Sequence, residues 1–240
     1  MKIYSKRNPI LHDLFRSSEP FALLVDKSPD WTSFDVVAKL RALWKIKKVG
    51  HAGTLDPFAT GLLILCFNKA TKSIEDFQSK FKIYDSVVEL GKETDTCDLT
   101  GKIVKESNEI PDNLDLDSIN KSFTGKIMQV PPIFSAIKKD GKRLYDLARK
   151  GIETEIAARE ITVFDLYNCT YDKPFFSFTA KVSKGTYIRS LARDIGTFLS
   201  CFGYLKSLRR TAIGDYSVDD AYTLQELIEL TAKLKPVEKL

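Results

Sequence analysis

One carboxylate in this chain stands in unusual company. The stretch from Lys47 to Phe67 reads KKVGHAGTLDPFATGLLILCF. It sets Asp56 among Gly, Ala, Thr and Pro residues, shortly after His51, one of only 2 histidines, and just before an apolar run. The plain reading is a turn: Gly53 and Gly61 supply permissive backbone, Pro57 fixes a φ angle, and Thr54 or Asp56 organises the hydrogen bonds. Three details favour chemistry instead. The small residues leave room for a ligand to approach the backbone. His51 is close in sequence. Lys45, Lys47 and Lys48 lie on one flank and apolar residues on the other. A carboxylate so placed can serve as nucleophile or base, because partial burial and a nearby cation tune its pKa.

Such a loop needs a rigid frame, and the surrounding pattern predicts one. FALLVDK (21–27) and GLLILCF (61–67) read as buried strands. Ser33 is placed to cap a helix over FDVVAKLRALWKI, whose stripe is Phe34, Val37, Leu40, Leu43 and Trp44. TKSIEDFQS is a short helix, KIYDSVVELG alternates as a strand, and TDTCDLTG is a polar turn. KIVKE is a strand, LDSINKSFTG a helix closed by Gly125, and GKRLYDLARKG a helix ending at Gly151. ITVFDLYNCTY and FFSFTAKVS make an antiparallel pair. TYIRSLARDIGTFLS is an amphipathic helix, YLKSLRRTAIGDYS a strand, and TLQELIELTAKL a last helix. Strands and helices mix without a repeating βαβ period, which argues an α+β fold with a mixed, mainly antiparallel sheet. Residues 1–20 read as a polar N-terminal extension, and with no linker or internal repeat 21–240 reads as one domain.

Composition narrows the class. At 240 residues the chain can bury a substantial core. No apolar run approaches the roughly 18 residues of a membrane helix, and the N-terminus lacks the apolar segment of a secretory signal. The 4 cysteines are far apart, so reduced thiols in a cytoplasmic protein are expected rather than a zinc site. A net charge of +5 is compatible with a polyanionic partner without requiring one.

The block GHAGTLDPFATGLL resembles the catalytic loop of the TruB-type tRNA pseudouridine synthases, whose pattern is close to GHxGxLDPxAxGxL. The segments LLVDK, KIYDSVVELGKETDTCDLTG, PPIFSAIKKDGKRLYDLARKG, ITVFDL, SKGTYIRSLARDIG and LRRTAIGDYSVDDAYTL are similar to family segments in the family's order, from about Phe21 to Leu227. The resemblance implies the pseudouridine synthase fold, with a long mixed sheet flanked by helices and a central active-site cleft. It implies conversion of uridine to pseudouridine at position 55 of the tRNA T-loop, without cofactor or metal.

The resemblance also implies roles. Asp56 matches the nucleophile, Tyr84 the aromatic that stacks on the base, and Arg189 the guanidinium that keeps the acid ionised. His51 matches the planar side chain that fills the stack when the base is flipped out. Tyr187, Leu208, Lys27, Gly53 and Thr54 fall at substrate-facing positions. The Asp95 and Asp98 carboxylates of TDTCDLTG read as parts of a polar turn, not a metal site. Lys45, Lys47 and Lys48, the group Lys138, Lys139, Lys142, Arg143, Arg149 and Lys150, and the group Lys206, Arg209 and Arg210 read as phosphate-binding flanks.

Two departures from the family stand out. DKSPDWTS replaces the usual DKPxGxxS, with Ser28 for Pro and Asp30 for Gly, which puts the turn beside Lys27 in question. The chain also ends about a dozen residues after TLQEL, leaving no room for the PUA domain of longer members, so weaker and more salt-sensitive tRNA binding is expected. The partner expected is the T-arm of tRNA, with no membrane, for a monomer. The competing readings are a non-catalytic tRNA-binding or tRNA-folding protein on the same scaffold, and the same chemistry on another RNA.

Overall fold

The computed structural model describes residues 1–10, 18–135, 138–139, 142–143 and 156–234. In chain order the strands and α-helices are β1 (Lys2–Tyr4), β2 (Phe21–Lys27), α1 (Ser33–Trp44), β3 (Val49–His51), β4 (Thr60–Phe67), α2 (Ile74–Ser79), β5 (Lys82–Leu90), β6 (Lys92–Thr94), β7 (Ile103–Glu106), α3 (Leu116–Phe123), β8 (Gly125–Gln129), β9 (Lys138–Lys139), β10 (Lys142–Arg143), β11 (Arg159–Asp172), β12 (Phe175–Val182), α4 (Ile188–Phe198), β13 (Gly203–Ile213), β14 (Tyr216–Ser217), β15 (Tyr222–Thr223) and α5 (Leu224–Leu234). Eleven strands form one mixed sheet in the order β1-β2-β4-β13-β5-β12-β11-β8, with β3, β14 and β15 paired off that path. This is the α+β class that the pattern of elements predicts.

The chain packs as two compact units, Met1–Tyr84 with Arg209–Leu240, and Asp85–Leu208. Their boundaries fall inside β5 and β13 rather than in a linker, so no change of composition marks them.

In the first unit, β2 and β4 pair antiparallel from Phe21 opposite Phe67 to Lys27 opposite Gly61. Both faces of this pair are covered, which is why both strands are near-continuous apolar runs. Phe21, Leu23, Val25, Leu63, Leu65 and Phe67 meet the residues of α1 on one side. Ala22, Leu24, Leu62, Ile64 and Cys66 pack with Phe77 and Ile213 on the other. Each such Leu or Phe, fully buried, contributes roughly 1.5–3 kcal/mol. Phe21 stacks on Phe67 with ring centroids 4.4 Å apart. Trp44 Nε1 donates to Thr231 Oγ1 at 2.8 Å, tying α1 to α5.

Helix α1 begins differently from the expectation. Thr32, not Ser33, is the N-cap, and it forms a capping box with Asp35. The buried stripe is Ser33, Val36, Val37, Leu40 and Trp44, while Phe34 is 62% exposed. Ser33 takes the inward place, where its hydroxyl bonds the Leu55 backbone. The expected N-terminal extension is also partly structure: β1 pairs in parallel with β2, and Tyr4 is buried.

In the second unit, β11 pairs antiparallel with both β12 and β8. Helix α4 lies close to the start of β13, where a Cβ on Gly196 would sit 2.1 Å from the Gly203 nitrogen. Only glycine fits at that approach. The helix expected over GKRLYDLARKG is not what begins there, because Lys142 and Arg143 form β10, paired with β9. Its remainder, with Arg149 and Lys150, lies outside the described residues.

Candidate active site

The loop carrying Asp56 is held at every peptide carbonyl from Gly53 to Pro57. The Gly53 oxygen accepts from Arg210 Nη2 at 3.1 Å and the Thr54 oxygen from Arg210 Nη1 at 3.4 Å. The Leu55 oxygen accepts from the Ser33 hydroxyl at 3.3 Å, and the Leu55 N–H donates back to that hydroxyl at 2.9 Å. The Asp56 oxygen accepts from the Ala59 N–H at 3.1 Å, and the Pro57 oxygen from both the Asp30 N–H and Lys27 Nζ. A loop of small residues has little side-chain packing to hold it, so these bonds define its shape. Asp56 itself is half-buried.

Lys27 is a buried ammonium. It is 1% exposed, and Nζ donates to the carbonyls of Ser28, Trp31 and Pro57 at 3.0, 2.7 and 3.1 Å. It therefore ties the 28–31 turn to the Asp56 loop. Asp30, where the family has glycine, adopts φ 65°, so the left-handed turn survives the departure. Burial pulls the Lys27 pKa down to about 8, against the pull of the Asp56 and Asp30 carboxylates.

His51 ends β3, paired with Leu65 of β4. Burial first, and the Arg210 guanidinium second, push its imidazole below the ordinary pKa, with the Gly53 backbone opposing. At neutral pH it is an uncharged planar ring, suited to stacking. Tyr84, on β5, is half-buried in the same unit, and the neighbouring Ile83 carbonyl accepts from the Thr211 hydroxyl.

In the second unit, Tyr187 and Arg189 stand at the start of α4, with Tyr187 as the N-cap. Gln129, fully buried, clasps the Tyr187 backbone in both directions: its amide donates to the Tyr187 oxygen at 3.1 Å and accepts from the Tyr187 nitrogen at 2.9 Å. The Arg159 guanidinium lies 5.0 Å from the Tyr187 ring centroid and donates to the Gly185 carbonyl. Arg189 is buried. It donates from Nη1 to Asp98 Oδ2 at 3.2 Å and to the Thr96 carbonyl at 3.2 Å, and from Nη2 to the Phe134 carbonyl at 2.9 Å. Asp98, 3% exposed, also accepts from the Thr96 hydroxyl at 2.8 Å, the Thr100 N–H at 2.9 Å and the Thr100 hydroxyl at 2.5 Å. Leu208 is buried on β13.

Asp98 is the residue that the polar-turn reading missed. Its signal was the spacing Thr96-x-Asp98-x-Thr100, two hydroxyls bracketing an acid. Among the described residues, no group of 3 or more His, Cys, Asp or Glu could hold a metal ion.

The basic flanks divide. Lys45, Lys47 and Lys48 are exposed, as phosphate contacts require. Arg210 is not a phosphate contact: at 1% exposure it is inside the protein. Its neighbours are engaged too. Arg209 forms a two-pronged pair with Asp26 at 3.1 and 2.8 Å, and Lys206 pairs with Glu89 at 2.9 Å. Alternation along β13 turns Arg210 inward, which a basic run read without register cannot reveal.

Known proteins resemble this chain over most of its length. Residues 41–188 match the model of the TruB family pseudouridylate synthase N-terminal domain. The chain belongs to the TruB family. Residues 189–240 of this TruB-family chain match a tRNA pseudouridylate synthase B C-terminal domain. It is 45% identical to tRNA pseudouridine synthase B of Cupriavidus metallidurans over 216 residues, 89% of this chain and 69% of that protein. The protein of the same name from Caldanaerobacter subterraneus is 44% identical over 90% of this chain and 77% of its own length. Among solved structures, a chain of a Cbf5-Nop10-Gar1 complex aligns with TM-score 0.70 and 26% identity, covering 94% of this chain and 58% of its own. This chain thus spans under two thirds of that structural neighbour. No helix among the described residues is long and apolar enough to cross a membrane.

Proposed function

We propose that this TruB-family protein isomerises uridine to pseudouridine in tRNA, with position 55 of the T-loop as the target and Asp56 as the nucleophile. The observation that carries the reading is the held loop: a half-buried carboxylate on a backbone anchored at each carbonyl from Gly53 to Pro57, inside the segment that matches the family. Pre-organised groups of this kind lower a barrier by avoiding reorganisation during the reaction.

In the reaction the N1–C1′ bond breaks and a C5–C1′ bond forms. C5 loses its hydrogen and N1 gains one, so the product is an isomer. The carboxylate of Asp56 adds transiently, either to the uracil ring or to the ribose carbon, and leaves again. Tyr84 stacks on the extruded base, and Arg189 stabilises the ionised acid. His51, neutral at the working pH, occupies the space the base vacates, while Lys27, Gly53, Thr54, Tyr187 and Leu208 shape the site. Exposed Lys45, Lys47 and Lys48 bind phosphates and make affinity fall with salt. The protein works as a cytoplasmic monomer.

The test is to incubate purified protein with unmodified tRNA and map pseudouridine at nucleotide resolution. Conversion at position 55 is expected. Binding with no pseudouridine at any position means a tRNA-binding protein, and conversion only in other RNAs means a different substrate. Either result overturns the proposal.

A further inference from the structure

Two adjacent arginines in LRRT have unlike fates. Arg209 faces outward and pairs with Asp26, whereas Arg210 is enclosed. Arg210 Nε donates to the Leu62 carbonyl at 2.7 Å, and its two terminal nitrogens reach the Gly53 and Thr54 carbonyls. Enclosing a cation removes it from water and opposes folding unless its donors are satisfied. A Leu or Met at this place would carry no such penalty. The residue that is present instead extends a planar fork beneath the peptides just before Asp56.

Strand register shows how the fork gets there. Lys27 of β2 and Arg210 of β13 both lie opposite Gly61 of β4. Gly61 adopts φ 104°, and a Cβ there would sit 2.2 Å from the Arg210 carbonyl oxygen. With no side chain in the middle of the row, β13 comes close to β4, and a buried cation stands on each side. Lys27 holds the far end of the loop at Pro57 and Arg210 the near end at Gly53 and Thr54.

We propose that Arg210 is a positioning residue for the isomerisation, fixing the backbone on which the Asp56 carboxylate is presented through its bonds to the Gly53 and Thr54 carbonyls. This rests on Asp56 being the nucleophile. Arg210 acts through the loop and does not bind RNA. Removing it lets the loop shift by a fraction of an ångström to an ångström, and misplacement of that size costs on the order of 10²-fold in rate.

The experiment compares Arg210→Met and Arg210→Lys with the wild type in single-turnover assays on unmodified tRNA labelled with tritium at uridine C5. Release of tritium reports chemistry, and filter binding reports affinity. Folding is checked by circular dichroism at the assay temperature. Arg210→Met is expected to slow tritium release about 10²-fold while its Kd for tRNA stays within about threefold. Arg210→Lys, which keeps a charge but fewer bonds, should recover part of that rate. A folded Arg210→Met or Arg210→Lys protein reacting within about threefold of wild type overturns the proposal. So does a rate loss matched by an equal loss of affinity, which would make Arg210 an RNA contact. Should Arg210→Met not fold, the Lys variant alone decides: slowed chemistry at unchanged Kd supports the role, and an unaltered rate refutes it. Asp56→Asn in the same assay separates the two readings. If it reacts normally, the nucleophile assignment fails. If it is dead and Arg210→Met is normal, only the present inference fails.

Discussion

Asp56 rides on backbone gripped by buried cations, whereas Arg189 is gripped through its own guanidinium by a buried anion. In the first unit Lys27 and Arg210 donate to backbone carbonyls of the 53–57 loop. In the second, Asp98 binds Arg189 directly and is itself held by Thr96 and Thr100. The two designs fail differently. A carbonyl that loses its cation can still find a water, and the loop relaxes. A buried guanidinium that loses a carboxylate keeps its burial penalty and loses the attraction that offset it, which is a stability problem before it is a catalytic one.

The largest expected effect lies on the acid. Asp56→Asn keeps the shape but replaces one acceptor oxygen with a donor amide and removes the nucleophile, and the single-turnover rate should fall at least about 10³-fold. Next comes the anion under Arg189. Asp98→Asn should destabilise the protein by about 3–5 kcal/mol in urea titration, because Arg189 and Asp98 have side-chain exposures of only 7% and 4%. It should also slow the reaction. A loss below about 1 kcal/mol would mean that the two units hold their charged groups alike.

A subtler prediction concerns Lys27, whose pKa burial lowers to about 8 from 10.5. Below pH 8 the ammonium is charged in both folded and unfolded chains, and its burial penalty is present in full. Between pH 8 and 10.5 the folded chain has shed the proton that the unfolded chain still holds, so stability rises with pH. Wild type should therefore gain about 2–3 kcal/mol relative to Lys27→Met between pH 7 and 10. Other groups titrate alike in both proteins and cancel. A flat difference would contradict the burial of that charge.

The smallest effect belongs to Arg209, next to Arg210 but 40% exposed in its pair with Asp26. Arg209→Met should cost under about 1 kcal/mol and leave the single-turnover rate unaltered. Its contrast with Arg210→Met isolates burial from charge.

Much of the fold was legible because periodicity and burial agree. FALLVDK and GLLILCF are strands covered on both faces, and TYIRSLARDIGTFLS contains α4 with its buried stripe. Phe34 misled because the cap sits one residue earlier than Ser33, which turns the stripe and sends Ser33 to Leu55. The acid, the histidine and the loop glycines stand out in the sequence through one shared motif, and the structure places them along one short segment from the end of β3 into the held loop. Arg210 and Asp98 do not stand out, because each looks like surface until register and long-range partners are known. Arg210 becomes an inward residue only when β13 is placed beside β4, and Asp98 becomes an anchor only when α4 brings Arg189 to it.

The most direct measurement sets Asp56→Asn beside the wild type on the same unmodified tRNA, with Kd by filter binding and pseudouridine at position 55 read over time. The predicted result is affinity within about threefold and no conversion in the variant over many wild-type half-lives. Conversion by Asp56→Asn at a rate comparable to wild type would contradict the assignment of the nucleophile and every role built around it.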